Sequence, residues 1–198
     1  MANNKFEEYV GEFYNYLIDY KYEYLQLFSN LEIQIEGWFR GELMCYFEAE
    51  KNIKLTTKNR EVRISEESGK KVDFKIPIDK QCYWIELKHI IVGEQKSKDK
   101  DQSERKKKPT YNIDFYLRDY NPSNIIIDIK KLAMIKDNWS KYVLCFISVN
   151  NEAEPDFDVL NALEGSEIGG IKMKIKTKKF NIEKKFGYFL LKVNEKQD

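Results

Sequence analysis

The run YVLCFISV, residues 142–149, is the feature of this sequence that most constrains its fold. A strand that is apolar at successive positions buries both faces, so it needs packed layers on either side, as in the central strands of α/β sheets. The chain has 198 residues and is 42% hydrophobic, which is enough to cover a sheet with helices on both faces. We therefore expect a single α/β (α+β) domain over residues 1–198.

Hydrophobic periodicity predicts the helices that precede this strand. Apolar residues recur at spacings of three and four over residues 5–28, which predicts one amphipathic helix. The predicted apolar stripe consists of Phe6, Val10, Phe13, Leu17, Tyr20, Tyr24 and Phe28. Its many aromatic side chains are interpreted as packing groups rather than as a stacking platform. Ser29 or Asn30 is placed to cap a second helix that ends near Lys51.

A period of two then predicts an antiparallel meander of three strands, at residues 61–65, 71–76 and 81–91. Further predicted elements are a helix from Pro122 or Ser123 to about Trp139 and two strands, at residues 171–180 and 187–193. The expected architecture is a mixed central sheet, with the meander flanked by helices. It comprises a helical extension at residues 1–28, a core at residues 29–149 and C-terminal strands at residues 150–198.

Charge and hydropathy exclude some classes of protein. The 34 basic and 33 acidic residues nearly cancel, so the chain as a whole has no strong attraction to nucleic acid or membranes, and any basic surface must be local. No apolar run approaches the roughly 20 residues that span a bilayer, and the N-terminus lacks a signal-peptide pattern. We expect a soluble, cytoplasmic protein without a membrane partner.

The few cysteines and the single histidine narrow the chemistry further. Cys45, Cys82 and Cys145 are far apart, odd in number and set in apolar stretches, which favours reduced, buried thiols. His89 is the only histidine, which disfavours hydrolases of the Ser-His or Cys-His type. Because His89 shares a strand face with Ile85, a core role is favoured over that of a catalytic base.

The segment KVDFKIPIDKQCYWIELKH, residues 71–89, carries the most informative residues. If residues 78–81 form a hairpin loop, Pro77 faces Cys82 and Asp73 faces Glu86 on the neighbouring strand. Strand alternation then brings Asp73, Glu86 and Lys88 to one side of the hairpin. That side also carries Lys75, and the opposite side carries Val72, Phe74, Ile85 and Leu87.

Two opposed carboxylates about 5 Å apart repel each other unless a cation lies between them. Mg²⁺ prefers oxygen ligands and commonly takes one or two protein carboxylates together with phosphate oxygens of the substrate, so Asp73 and Glu86 suit it. Lys88 is placed to hold or deprotonate the attacking water, or to offset charge on the phosphate. A solvated ion-pair face is the simpler alternative, but the apolar neighbours of Glu86 argue for a partly buried position.

Asp73, twelve intervening residues and Glu86-Leu87-Lys88 resemble the motif of the PD-(D/E)xK phosphodiesterases, the restriction-endonuclease-like superfamily. The resemblance covers roughly residues 31–149. The family's core is a helix, a three-stranded meander, a helix and a further strand, which is similar to the order predicted for this chain. Val72 stands where the family's name has a proline.

The resemblance implies a Mg²⁺-dependent nuclease in which Mn²⁺ can substitute. Asp73, Glu86 and the backbone carbonyl of Leu87 would be metal ligands, and Lys88 the catalytic lysine. Glu42, on the helix before the meander, would be an accessory catalytic and metal-binding residue, with Glu36 as the alternative for that position. DNA is the expected substrate, and the aromatic N-terminal helix is a candidate surface for a homodimer.

Two basic segments bear on nucleic-acid binding. Residues 93–110 contain seven basic and four acidic residues and are interpreted as a solvated polar loop. In residues 171–178, four lysines alternate with other residues, so they line one strand face, where they either follow a phosphate backbone or protect an edge strand. The expected nucleic-acid-binding residues are Lys75, Lys172, Lys174, Lys176 and Lys178.

The leading hypothesis is therefore a metal-dependent DNA endonuclease of the restriction, defence or repair type. The alternative is a nucleic-acid-binding or protein-interaction domain that keeps the fold without the chemistry. A nuclease that acts on RNA or on a nucleotide is a third, weaker possibility.

Overall fold

The computed structural model describes residues 4–30, 35–65, 69–94, 110–118, 124–150, 154–164, 167–168 and 170–194. Its helices are α1 (Lys5–Tyr20), α2 (Tyr22–Asn30), α3 (Glu36–Lys51), α4 (Ile125–Ala133) and α5 (Asp158–Leu163), with 3-10 turns at Thr57–Asn59 and Ile113–Leu117. Its strands are β1 (Arg60–Arg63), β2 (Lys71–Ile78), β3 (Gln81–Glu94), β4 (Thr110–Tyr111), β5 (Ser140–Val149), β6 (Glu167–Ile168), β7 (Ile171–Asn181) and β8 (Phe186–Asn194).

The strands form a mixed sheet in the order β1-β2-β3-β5-β8-β7-β6, and β4 pairs with β3 off this path. β1, β2 and β3 form the predicted antiparallel meander. β5 then pairs in parallel with β3 over ten residue pairs, from Tyr83 opposite Ser140 to Val92 opposite Val149. The expected mixed α/β architecture, with a mixed sheet that contains an antiparallel meander, is thus confirmed.

Two apolar layers enclose this sheet, and β5 contributes to both. Tyr142, Leu144 and Phe146 face the layer covered by α1, α2 and α3, where Phe39 stacks on Phe146 with ring centroids 4.2 Å apart. Val143, Cys145 and Ile147 face the layer covered by α4 and α5. We call these sides of the sheet the α3 face and the α4 face. The prediction that β5 is buried on both faces is confirmed.

The N-terminal helical segment is two helices rather than one. The chain leaves helical geometry at Lys21, whose amide still donates to the carbonyl of Leu17, and α2 starts at the next residue. The predicted apolar stripe ran through Tyr20 and Tyr24, but both are exposed, and the stripe continues instead at the buried Leu25. The break lets α2 turn a different side chain toward the sheet.

Two other predicted helix boundaries were wrong. α3 begins after Ile35 without a side-chain cap, so neither Ser29 nor Asn30 caps it, and both belong to α2. α4 is capped by Asn124, whose side chain accepts from the Ile127 amide, and it ends at Ala133 rather than near Trp139.

The aromatic residues of α1 do pack, as interpreted. Phe6, Phe13 and Tyr14 are buried against the α3 face, and Phe6 stacks on Tyr83 of β3. The helical extension is therefore part of the main core. Tyr20, Tyr24 and Leu27 remain exposed, but nothing in the structure shows what would cover them, so a homodimer through this segment stays a prediction.

Smaller expectations have mixed outcomes. All three cysteines are free thiols, but only Cys145 is buried, because Cys45 lies on the exposed side of α3 and Cys82 is half-buried. Most of the predicted polar loop, residues 95–109, lies outside the described residues. None of the helices within the described ranges is long and apolar enough to cross a membrane.

His89 is a core residue, as interpreted from its position. Its Nδ1 accepts a hydrogen bond from the Ile35 amide, at 3.4 Å, and its Nε2 lies 2.7 Å from the Ser148 hydroxyl. With Nδ1 as the acceptor, Nε2 carries the proton and donates. Burial lowers the pKa of His89 from 6.5 to about 3, so the ring stays neutral in the folded protein.

This neutral histidine makes stability fall in acid. Below pH 6.5 His89 becomes protonated in the unfolded chain but stays neutral in the folded protein. The free energy of unfolding therefore decreases as the pH falls from 6.5 toward 3. The decrease contributed by His89 approaches about 1.4 kcal/mol per pH unit. We expect His89→Gln to be less stable than the wild type at pH 8 and the difference to shrink below pH 6.5, as measured by urea unfolding. Parallel curves would contradict a buried neutral ring.

Candidate active site

The hairpin of β2 and β3 has the predicted register but a tighter turn. Pro77 pairs with Cys82 as expected, while Ile78 also pairs with Gln81, so the turn consists only of Asp79 and Lys80. Asp79 takes a positive φ of 55°, which aspartate tolerates better than most residues. The register carries on to Phe74 opposite Ile85, where the paired residues end. Asp73 follows this last pair and is close enough to Glu86 for its charge to act on that carboxyl group.

The two strands part at Asp73, where the regular pairing ends. Asp73 Oδ2 accepts a hydrogen bond from the Leu87 amide of β3, with a length of 2.8 Å. Val72 packs in the layer of the α4 face and Phe74 in that of the α3 face, so the predicted alternation of β2 fails at this point. The gap between the strands is where charged side chains from both helical layers meet.

Glu86 and Lys88 extend from β3 toward α4. The Lys88 ammonium lies 3.0 Å from Asp128 Oδ2 on α4 and 3.7 Å from Glu36 Oε1 on α3. Glu86 Oε1 lies 2.5 Å from Lys131 Nζ, and the same ammonium is 3.5 Å from Asp128 Oδ1. Glu86 is only 3% exposed, so the expectation of a buried position for this carboxylate is met.

α3 contributes two charged residues that lie one helical turn apart. Arg40 Nη2 lies 2.8 Å from Asp73 Oδ1, and Glu36 is the residue that contacts Lys88. The resulting charged cluster contains four carboxylates and three basic groups. Its members are Glu36, Arg40, Asp73, Glu86, Lys88, Asp128 and Lys131.

Burial in the cluster raises the pKa of its two glutamates. Burial raises the pKa of Glu86 to about 8, with further increases from Asp73 and Asp128 that Lys131 only partly offsets. Burial also raises the pKa of Glu36, opposed by the positive charge of Lys88. Buried carboxyl groups close to one another retain protons when too little positive charge is near them.

Lys88 is held in its charged form. Burial by itself would lower its pKa, but the carboxylates of Asp128 and Glu36 raise it above the ordinary value. A charged lysine has no free electron pair to accept a proton. Of the roles predicted for Lys88, this environment favours stabilising negative charge or holding a water molecule over removing its proton.

The donor set suits a hard divalent cation, although the side chains are not arranged around one. Within the described ranges, no group of three or more His, Cys, Asp or Glu side chains is positioned to hold a metal ion. However, Glu86 Oε1 and Asp128 Oδ2 are buried and make no aligned hydrogen bond, even though each lies beside an ammonium group. Carboxylate oxygens with spare lone pairs are the ligands that Mg²⁺ and Mn²⁺ take.

Glu42 is not part of this cluster. Its carboxylate lies 3.3 Å from Lys21 Nζ and accepts from the Tyr16 hydroxyl at 3.5 Å, on the side of α3 that faces α1. Glu42 follows Glu36 by six residues, which is about 240° around a helix. Glu36, the alternative named from the sequence, is the residue of α3 that reaches Lys88.

Two other predicted site residues have different contacts from those expected. Lys75 lies 4.5 Å from the ring centroid of Trp84 and 3.8 Å from Asp137 Oδ2, and it has no ion pair with the cluster. Leu87 reaches the cluster through its amide, which donates to Asp73. A metal-ligand role for its carbonyl stays a prediction.

Sequence reasoning missed Arg40, Asp128 and Lys131. Arg40 follows Glu36 by four residues, and Lys131 follows Asp128 by three, both spacings that place side chains on one helix face. Asp128 also interrupts the apolar run IIIDI and is 6% exposed. A charged residue at a buried helical position was the available signal, because such a group needs a partner.

The lysine row of β7 is interrupted by a bulge. The pairing with β8 shifts between Ile175 and Thr177, so the alternation of side chains changes there. Lys172 and Lys174 stay on the α3 face, and Lys174 pairs directly with Lys192 of β8. Lys178 instead pairs with Phe189 on the α4 face and donates to Asn161 of α5, at 2.8 Å. The predicted single row of four lysines is therefore wrong.

A three-lysine patch nevertheless remains on the α3 face, formed by Lys174, Lys176 and Lys192. Lys176 lies 3.7 Å from Glu7. Burial lowers the pKa of Lys192, and repulsion from Lys176 lowers it further; Glu7 opposes this effect and Lys174 adds to it. Like charges opposite each other in a sheet are unfavourable, and a bound anion would relieve the repulsion.

Comparison of the chain with family models, with curated proteins and with solved structures finds no match. The assignment of function therefore depends on the charged cluster and on the resemblance of its motif.

The raised pKa of Glu86 predicts a stability gain on its neutralisation. Because the folded protein keeps a proton that the unfolded chain loses, the free energy of unfolding falls as pH rises from 4.5 to about 8. In the presence of chelator, we expect Glu86→Gln to have the same free energy of unfolding as the wild type at pH 5. At pH 8 we expect its free energy of unfolding to be higher than that of the wild type by about 2 kcal/mol. The gain is smaller than the full linkage value because Lys131 loses its partner. Denaturant unfolding at both pH values measures this. A variant less stable than the wild type at pH 8 would show that the Glu86–Lys131 pair is stabilising overall.

Proposed function

We propose that the protein is a Mg²⁺-dependent nuclease that hydrolyses phosphodiester bonds, with DNA as its expected substrate. The proposal is based on the position of Asp73, which is hydrogen-bonded to β3 between Glu86 and Lys88. Asp73 is fixed to the main chain of β3 by the 2.8 Å bond from the Leu87 amide, and the side chains on either side of Leu87 belong to the same charged cluster.

The order of elements around the cluster supports a restriction-endonuclease-like core. α3 precedes the meander of β1, β2 and β3, α4 follows it, and β5 then pairs in parallel with β3. This is the order of helix, three-stranded meander, helix and strand that the sequence motif implied. The carboxylates project from the centre of that core and not from its periphery.

Within this proposal, Asp73 and Glu86 hold the Mg²⁺ ion, and Asp128 is a further oxygen donor within the cluster. The bound ion would polarise the phosphate and activate a water molecule. Lys88, kept charged by Asp128 and Glu36, stabilises negative charge on the reacting phosphate. Glu36 thus acts as a positioning residue, because it fixes Lys88.

The three-lysine patch supports a polyanionic substrate over a small phosphodiester. Lys174 and Lys192 are direct cross-strand neighbours. Such a group of ammonium charges binds the regularly spaced phosphates of a nucleic-acid backbone and releases counterions when it does so. A small substrate would reach only the charged cluster.

A second candidate function, a nucleic-acid-binding domain without catalysis, is favoured by one specific observation. Arg40 and Lys131 already supply positive charge to Asp73 and Glu86, as metal ions would in an enzyme. If those ion pairs are permanent, the cluster is a structural charge network. The two candidates differ in whether the protein cleaves nucleic acid when a metal ion is supplied.

The decisive experiment compares cleavage of supercoiled plasmid, single-stranded DNA and RNA by purified protein, each in Mg²⁺, Mn²⁺ or chelator. We expect metal-dependent cleavage of DNA and a loss of about a hundredfold or more in Lys88→Ala, because a charge on the reacting phosphate loses its partner. Lys51→Ala, which removes a lysine at the other end of α3 that pairs with Glu12, is the control and should retain activity.

A second matched pair separates the two glutamates of α3. Glu36→Gln should lower the rate by about tenfold or more, as is typical for residues that position a catalytic group, while Glu42→Gln should leave it unchanged. Cleavage of RNA alone would overturn DNA as the substrate. Absence of cleavage by folded wild-type protein in both metals would favour the non-catalytic candidate.

The lysine patch makes a separate prediction about DNA binding. Each phosphate contact contributes about 0.9 to the slope of log affinity against log salt concentration for duplex DNA. We expect Lys174→Ala and Lys192→Ala each to reduce this slope by about that amount in titrations followed by fluorescence anisotropy. Lys178→Ala, on the opposite face, is the control. Equal changes in all three variants would show that the patch is not the contact surface.

A further inference from the structure

Two basic side chains already contact the carboxylates assigned to the metal ion. Arg40 approaches Asp73 Oδ1 from α3, and Lys131 approaches Glu86 Oε1 from α4. A divalent cation bound to the same oxygens would lie close to both positive groups and repel them. The ion pairs and the metal therefore compete for the same carboxylates.

We propose that Arg40 and Lys131 are exchangeable counterions, which leave Asp73 and Glu86 when the divalent cation binds and then contact the phosphate of the substrate. This inference depends on the proposed function, because it takes Asp73 and Glu86 as the metal ligands. It assigns a substrate-binding role to two residues outside the recognised motif.

The contacts of Arg40 leave it free to exchange. Its guanidinium reaches Asp73 through Nη2, while its Nε is buried without a hydrogen-bond partner. The pair therefore does not use the full fork of donors with which arginine locks a carboxylate. The arginine side chain is also 28% exposed, so it has room to reorient. The oxygens of a phosphate can accept hydrogen bonds from these unused N–H groups.

Among the described residues, Lys131 is held by carboxylates of one helical layer and its neighbouring strand only. Its ammonium is shared between Glu86 on β3 and Asp128, which precedes it by three residues on α4. Lys131 lies on the last turn of α4, and its flexible side chain is 20% exposed. Lys88 differs, because carboxylates from both helical layers hold it. We therefore assign exchange to Lys131 and a fixed position to Lys88.

If Arg40 and Lys131 exchange in this way, removing either one should have opposite effects on metal binding and on DNA binding. Without substrate, removing a counterion frees a carboxylate, so the metal should bind more tightly. With metal present, removing the same residue deletes a contact to phosphate, so DNA should bind more weakly. A residue that only supports the fold would weaken both equilibria, because the site itself would be damaged.

The test measures both equilibria on Arg40→Gln and Lys131→Met, with thermal unfolding as the check on folding. Mn²⁺ binding without DNA is measured by titration calorimetry, and we expect the Kd to fall by about twofold to fivefold, the range of a partly exposed ion pair. Binding of labelled duplex DNA is measured by anisotropy in Ca²⁺, which also prefers oxygen ligands. Here we expect the Kd to rise by about tenfold, which corresponds to one lost charge-assisted hydrogen bond.

Matched variants separate this inference from a loss of structure. Lys51→Met removes a lysine at the other end of α3 that pairs with Glu12, outside the cluster, and should change neither the Mn²⁺ nor the DNA equilibrium. Lys131→Arg keeps the charge and should behave like the wild type in both equilibria. Lys131→Gln, which also removes the charge, replaces Lys131→Met if that variant does not fold.

The possible results also separate this inference from the proposed function. If the wild type binds no Mn²⁺, the metal site itself is refuted. If the wild type binds Mn²⁺ but Arg40→Gln and Lys131→Met bind it no more tightly, or bind DNA as well as the wild type, the exchange is refuted while the metal site stands.

Discussion

The parallel pairing of β3 with β5 is the constraint on which the site depends. It places β3 inside the sheet, with β2 on its other side, so side chains of β3 must be accommodated by the helical layers. Glu86 and Lys88 consequently lie beneath α4, where they need charged partners. Asp128 and Lys131 supply those partners. The same pairing aligns Lys88 with Cys145 of β5, and that side chain is uncharged and fully buried.

The parting of β2 from β3 at Asp73 lets charged side chains of both helical layers meet at β3. Had the hairpin continued in regular register, backbone groups would have filled the space that the Asp73 carboxylate and Arg40 occupy. Instead, the carboxylate itself bonds the Leu87 amide, which satisfies a donor that the broken pairing would otherwise leave without a partner. The interruption of the sheet therefore has a compensating hydrogen bond, and it allows α3 and α4 to contribute to one cluster from opposite faces.

Features that depend on local pattern could be predicted from the sequence, whereas features that depend on packing could not. The meander and the pairing of Pro77 with Cys82 depend on alternation and turn chemistry, and β5 depends on a continuous apolar run, all of which are local. The choice between Glu36 and Glu42 depended on the phase of α3, and its true start at Glu36 has no side-chain cap to reveal it. The bulge that moves Lys178 leaves no sign in the alternating sequence. Asp128 and Lys131 meet Glu86 only because α4 packs across β3, a contact between distant segments.

The two lysines next to the carboxylates illustrate why residue type alone does not assign a role. Lys88 belongs to the recognised motif, and its charge is fixed by Asp128 and Glu36 from both helical layers. Lys131 lies outside the motif, yet it makes the closer contact to Glu86. In a cluster whose carboxylates outnumber its basic groups, each ammonium lowers the cost of burying a neighbouring carboxylate. When a divalent ion replaces Lys131 at Glu86, Asp128 loses one of its two ammonium contacts and keeps the closer one, from Lys88. The second positive charge of the ion offsets that loss.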